Sequence, residues 1–71
     1  MKPHIIKVRF LKDGKPAGMP YTYYSKDVVS IGDIVQINAQ AKGLVVDIDI
    51  PEEDIKGFAD KVKFIHGRVE E

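Results

Sequence analysis

The run Leu44-Val45-Val46-Asp47-Ile48-Asp49-Ile50 ends in alternating apolar and acidic residues and is stopped by Pro51. A period of two sets Leu44, Val46, Ile48 and Ile50 on one face and Asp47 and Asp49 on the other, the pattern of a half-buried strand. A slip of one residue would bury both aspartates, so the register of this strand is tightly constrained. Three further runs share the character. Residues 4–11 alternate, with Ile6, Val8 and Phe10 inward and Lys7 and Arg9 outward. Tyr21-Thr22-Tyr23-Tyr24 is wholly β-favouring, and Ile34-Val35-Gln36-Ile37 offers Val35 and Ile37 to a core.

Breakers separate these runs. Residues 12–20 hold Asp13-Gly14, Gly18, Pro16 and Pro20, and read as a hairpin loop. Ser25-Lys26-Asp27 turns, Val28-Val29-Ser30 is a short extended stretch, and Gly32-Asp33 makes a tight turn. Residues 38–43 are small or polar and end in glycine, as a hairpin loop requires. After Pro51 the period changes: Ile55, Phe58, Ala59 and Val62 follow helical spacing, and Glu52, Glu53 and Asp54 suit the positive end of a helix dipole. A short helix over residues 51–62, weakened by Gly57, is therefore expected. A last strand follows at residues 63–66, and residues 1–3 and 69–71 are expected to fray.

Four strands, a helix and a fifth strand, joined by short turns, predict a mostly β domain of antiparallel neighbours. Closing such short strands into a barrel removes exposed edges. The expected fold is thus a small SH3-like antiparallel barrel of about five strands, with one short helix before the last strand. An OB-type barrel is the alternative, but its helix lies between the third and fourth strands.

Gly32-Asp33-Ile34-Val35-Gln36-Ile37, six loop residues to Gly43, and Leu44-Val45-Val46-Asp47-Ile48 resemble the strand–turn–strand core of SH3-like and KOW-type barrels. With Tyr21-Thr22-Tyr23-Tyr24-Ser25 ahead of it, the chain is also similar to small uncharacterised barrel proteins carried by phages and mobile elements of Gram-positive bacteria. The likeness covers residues 5–50. Members of this wider class bind nucleic acid, ribosomal partners or peptides, so it implies a fold and leaves the ligand open. The segment after Pro51 departs from the minimal KOW pattern.

Seventy-one residues make one small domain, 1–71, and 44% hydrophobic against 31% charged residues is a folding composition. Eleven bases balance eleven acids, so the basic excess of dedicated nucleic-acid binders is missing. Without cysteine there is no disulfide, thiolate ligand or cysteine nucleophile, and zinc-ribbon readings are excluded. Charges at Lys7, Arg9 and Lys12 interrupt any leader-like apolar run, and no stretch has the length of a spanning helix. A cytoplasmic protein without membrane contact is expected. A core this small gains from self-association, which makes a homodimer a candidate state.

Charge is unevenly placed. Residues 43–60 carry six acids against Lys56, a local charge of −5, and residues 1–35 carry +3. Asp47-x-Asp49 lacks the third ligand and the turn glycine of a calcium loop, so Asp47, Asp49, Glu52 and Glu53 read as a protein-interaction patch. Tyr21, Tyr23 and Tyr24 with Lys7, Arg9 and Lys26 form the aromatic and basic set that would stack bases and hold phosphates, although Tyr21 and Tyr23 share one strand face, Tyr24 takes the other, and structural use of all three tyrosines is the leading reading. His4 and His66 complete no metal signature, Ser25 and Ser30 sit in no nucleophile elbow, and Gly14 and Gly18 lack the rest of a phosphate loop. No catalytic set, metal site or cofactor is expected. The leading expectation is a non-catalytic interaction module that binds a protein partner or itself through a barrel face or strand edge. The alternative is a nucleic-acid-binding accessory protein.

Overall fold

The computed structural model describes residues 3–69. Its sheet contains β1 (His4–Lys12), β2 (Lys15–Ser25), β3 (Ile34–Gln36), β4 (Lys42–Asp47) and the two-residue β5 (Gly67–Arg68), in the order β2-β1-β4-β3-β5 with every neighbour antiparallel. The mostly β, antiparallel character read from the sequence is therefore present. Among the described residues, no helix is long and apolar enough to cross a membrane.

β1 and β2 are joined by Asp13 and Gly14, with φ of 54° and 79°. Positive φ at both central residues is the backbone of the tight hairpin turn that Asp-Gly favours. This corrects the expected loop over residues 12–20, because β2 already begins at Lys15. β2 accommodates its prolines by lying at the sheet edge, where a missing N–H costs no ladder bond. It also carries two extra residues between the Val8–Tyr21 and Phe10–Ala17 pairs. Gly18, at φ 75°, lies in this bulge, and Arg9 Nε donates to its carbonyl oxygen at 3.1 Å.

A second bulge changes the inward face of β4. Val8 pairs with Val45 and Lys7 with Asp47, so Val46 has no partner of its own on β1. Gly43 and Val45 consequently face the core, and Leu44 and Val46, expected inward, are only half-buried. Beyond the bulge the phase is restored: Ile48 packs on the core and Asp47 is exposed. Val8, Val35 and Val45 have no exposed surface, and with Ile6, Val29, Ile37 and Ile65 they form the core cluster. Each such side chain contributes about 1.5–3 kcal/mol by leaving water.

No α-helix forms over residues 51–62. Single 3-10 turns at Glu52–Ile55 and Ala59–Lys61 replace it, separated by a turn around Gly57. Their bonds span three residues, as in Asp54 N–H to Pro51 O at 3.0 Å. A segment this short is a marginal helix even without glycine at its centre, and here each turn is pinned separately. Ile55 is buried, Ala59 and Val62 are half-buried, and Phe58 is exposed.

The sheet is open. The segment expected as the last strand, residues 63–66, instead touches β2 through one parallel bridge, Tyr24 to Phe64. Tyr24 N–H donates to Lys63 O and Ile65 N–H to Tyr24 O, both at 2.9 Å, and the chain then enters β5 beside β3. The short stretch expected at residues 28–30 is a loop anchored by buried Val29. Of the expected frayed ends, residues 1, 2, 70 and 71 lie outside the described residues, while Val69 N–H donates to Ile34 O at 3.4 Å.

Gly43 is the most crowded of the glycines. A Cβ there would run into Val8 Cγ1, would lie 2.6 Å from Ile37 Cδ1 and 3.1 Å from the Arg9 carbonyl oxygen. Gly43→Ala is expected to cost about 1–3 kcal/mol through overpacking. Gly57→Ala, with nothing near its Cβ, is expected to be neutral or stabilising by up to about 1 kcal/mol. Urea denaturation of the two variants checks the contrast.

Candidate interaction surface

Cross-strand pairing decides which aromatic residues come together. Tyr23 pairs with Ile6 and Tyr21 with Val8, and paired residues share a face, so both tyrosines lie on the core side of β2. There they meet Phe10. Tyr21 stands edge-on to the Phe10 ring at 5.7 Å, and Tyr23 is tilted against it at 6.4 Å. Tyr23 packs against the core cluster, whereas Tyr21 keeps 55% of its surface exposed.

The two rings form a ridge between open grooves. One, of about 470 Å³, is lined by Phe10, Ala17, Gly18, Tyr21 and Tyr23. The other, of about 490 Å³, lies between Pro20, Tyr21, Thr22 and Tyr23 on β2 and Phe58, Lys61, Val62 and Lys63 opposite. Both fall in the size range of binding sites, and both are mainly apolar.

The basic and aromatic residues singled out in the sequence divide between the two faces, with Tyr21 and Tyr23 on one and Tyr24, Lys7 and Arg9 on the other. Lys7 pairs with Thr22, and with Arg9 it faces away from Tyr21 and Tyr23. Arg9 is engaged at the β2 bulge. Tyr24 takes the outer side, tilted on Phe64 at 5.2 Å, with its hydroxyl donating to Ala59 O at 3.5 Å. Lys26 Nζ lies 5.7 Å from the centre of the same Phe64 ring, a cation–π contact. The cations beside Tyr21 and Tyr23 are instead Lys61 and Lys63. Sequence reasoning missed them because long-range pairing at Tyr24, with Lys63 and Ile65 some forty residues on, brings them to β2.

The acidic residues divide as well. Asp47 ends β4 as the register partner of Lys7, and its Oδ1 accepts from Ile48 N–H at 3.0 Å. Asp49 is exposed with φ 54°, a left-handed conformation that Asp tolerates better than most residues. Glu52 and Glu53 line a separate groove of about 420 Å³ with Tyr24, Ile55, Lys56 and Ala59. Neither aromatic groove has an acidic lining residue.

Ser25 is fully buried, and its hydroxyl donates to Asp27 O at 2.8 Å while accepting from Asp27 N–H at 3.1 Å, a local turn that ends β2. Among the described residues, no three His, Cys, Asp or Glu side chains converge on a common point. No known protein family, curated protein or solved structure matches the chain.

Burial pushes the Tyr23 hydroxyl above its ordinary value of 10.0, and the neighbouring Tyr21 adds to the shift. The folded state therefore holds this proton more tightly than the unfolded chain. Its contribution is fully present below pH 10 and is lost as the pH rises through the higher folded value. Thermal unfolding followed from pH 8 upward is expected to show a fall in Tm above about pH 10 that is smaller in Tyr23→Phe.

Proposed function

We propose that this protein is a non-catalytic interaction module that docks a protein partner on the aromatic face of β2. The observation carrying the reading is the Tyr21 ring, held edge-on by Phe10 yet 55% exposed between two open grooves. A rigid, amphipathic ring loses little entropy on binding, which is why tyrosine is frequent among residues that dominate interfaces. In this reading the domain is an SH3-like barrel of five strands whose ends approach at the Tyr24–Phe64 bridge, and it works in the cytoplasm.

Along most of β2 the face is a better docking surface than the strand edge. Pro16 and Pro20 remove two backbone donors, and the bulge between them disturbs the edge that a long partner strand would need. The acidic residues Asp47, Asp49, Glu52 and Glu53 are a lesser surface, since they do not share one groove.

One observation favours the nucleic-acid reading: Lys61 and Lys63 line a groove with Tyr21 and Tyr23, so rings and cations meet there, although not the cations Lys7 and Arg9. Charge balance argues against it as the main role, because no basic excess holds a polyanion over a longer path.

Panning a random peptide display library against the folded domain tests the proposal. Enriched peptides are expected to bind at micromolar strength and to lose about tenfold or more with Tyr21→Ala, whose circular dichroism and Tm stay at the wild-type values. Enrichment indifferent to Tyr21 would contradict it. Salt-sensitive binding of oligothymidylate with no peptide enrichment would transfer the function to nucleic acid.

A further inference from the structure

β2 and the chain facing it part company beyond the closing bridge. Tyr24 turns both its N–H and its C=O away from β1, since the first bonds Lys63 and the second Ile65. In an antiparallel pair such outward residues recur at every second position, so Thr22 presents its N–H and C=O to the same edge. Pro20, two residues back and already in the bulge, has no N–H to offer. Among the described residues, the backbone bonds joining β2 to residues 58–65 are the two at Tyr24, and Thr22 takes part in none. The space where the walls diverge is the groove of about 490 Å³ lined by Lys61 and Lys63.

We infer that this groove receives an extended acidic segment of a partner protein, added as a short strand beside Thr22 with its carboxylates set against Lys61 and Lys63. The inference rests on the interaction-module reading and names the partner's chemistry. Strand addition supplies a donor and an acceptor to the Thr22 backbone, and Tyr21 and Phe58, 55% and 41% exposed, wall the groove for the strand's apolar side chains. Charge complementarity selects the acidic sequence, because two lysines line the groove and no carboxylate does. A nucleic-acid strand fits less well: its phosphates accept hydrogen bonds but leave the Thr22 carbonyl unmatched. Pro20 limits the added strand to a short pairing, which also keeps this edge from templating long aggregates.

Amide chemical-shift titration of the labelled protein tests the assignment with five probes: a short capped peptide alternating Glu and Val, its Lys-Val counterpart, two Glu-Val peptides N-methylated along one edge or the other, and oligothymidylate. The Glu-Val peptide is expected to bind and to shift Thr22, Lys61 and Lys63. N-methylation of one edge, but not the other, is expected to weaken it by about tenfold or more, as is Thr22→Pro, which removes the edge donor and keeps a dispersed spectrum. The Lys61→Glu, Lys63→Glu double variant is expected to prefer the Lys-Val peptide. Failure of the Glu-Val peptide to bind, or binding indifferent to both variants, overturns the inference. Shifts confined to Phe10, Ala17 and Gly18 would overturn it while leaving the interaction module standing. Binding of oligothymidylate alone would remove both. Concentration-dependent shifts at Thr22 without any peptide would assign the groove to a second copy and overturn the partner assignment.

Discussion

Gly43 is the point on which the rest of the fold turns, because the chain there has no room for a side chain. It pairs with Phe10 on one side and Val35 on the other, and the space a Cβ would occupy belongs to Val8 and Ile37. This close approach lets β4 lie between β1 and β3 and brings Val8, Val35 and Val45 together in the buried core. Interiors are packed at crystal density, so a collision of this kind would be felt across the sheet.

The two bulges distribute side chains between the faces. At Val46 an extra residue in β4 moves the strand out of phase, so Val45 and Ile48 both reach the core while Asp47 points to solvent opposite Lys7. In β2 the extra pair around Gly18 leaves the phase intact, and Phe10, Ala17, Tyr21 and Tyr23 gather on one side. The Arg9 guanidinium fastens that bulge from the opposite face. An arginine that reads as a phosphate contact thus has structural work, and the aromatic ridge owes its position partly to it.

Openness and binding are linked in this architecture. The bridge at Tyr24 and Phe64 is reinforced by the tilted contact of the two rings and by Lys26 over the Phe64 ring, so the ends of the sheet are held at one point. Beyond that point the walls separate, exposing backbone groups and aromatic surface together. Lys61 and Lys63 follow the acidic stretch closely in sequence yet line a groove without acids.

Much of the fold was legible in the chain. The alternation of Ile6, Val8 and Phe10, the pair Val35 and Ile37, and the turn residues Asp13-Gly14 and Gly32-Asp33 report local preferences, and local preferences decide strands and turns. The inward face of β4 was not legible: Leu44 and Val46 have the right hydrophobicity, but a bulge set by pairing with β1 selects Gly43 and Val45. Helical spacing after Pro51 was present and insufficient, because packing pins Ile55 and Ala59 as separate turns around Gly57. Of the candidate site, the sequence indicated the tyrosines but not their partners. Lys7 and Arg9 lie across the sheet from Tyr21 and Tyr23, while Lys61 and Lys63, more remote in number, lie beside them. Sequence by itself determined a small, charge-balanced, β-rich domain, since composition and period are properties of the chain. Tertiary structure alone decided which cations meet the aromatic ridge and where the sheet stays open, since both depend on long-range pairing that no local pattern encodes.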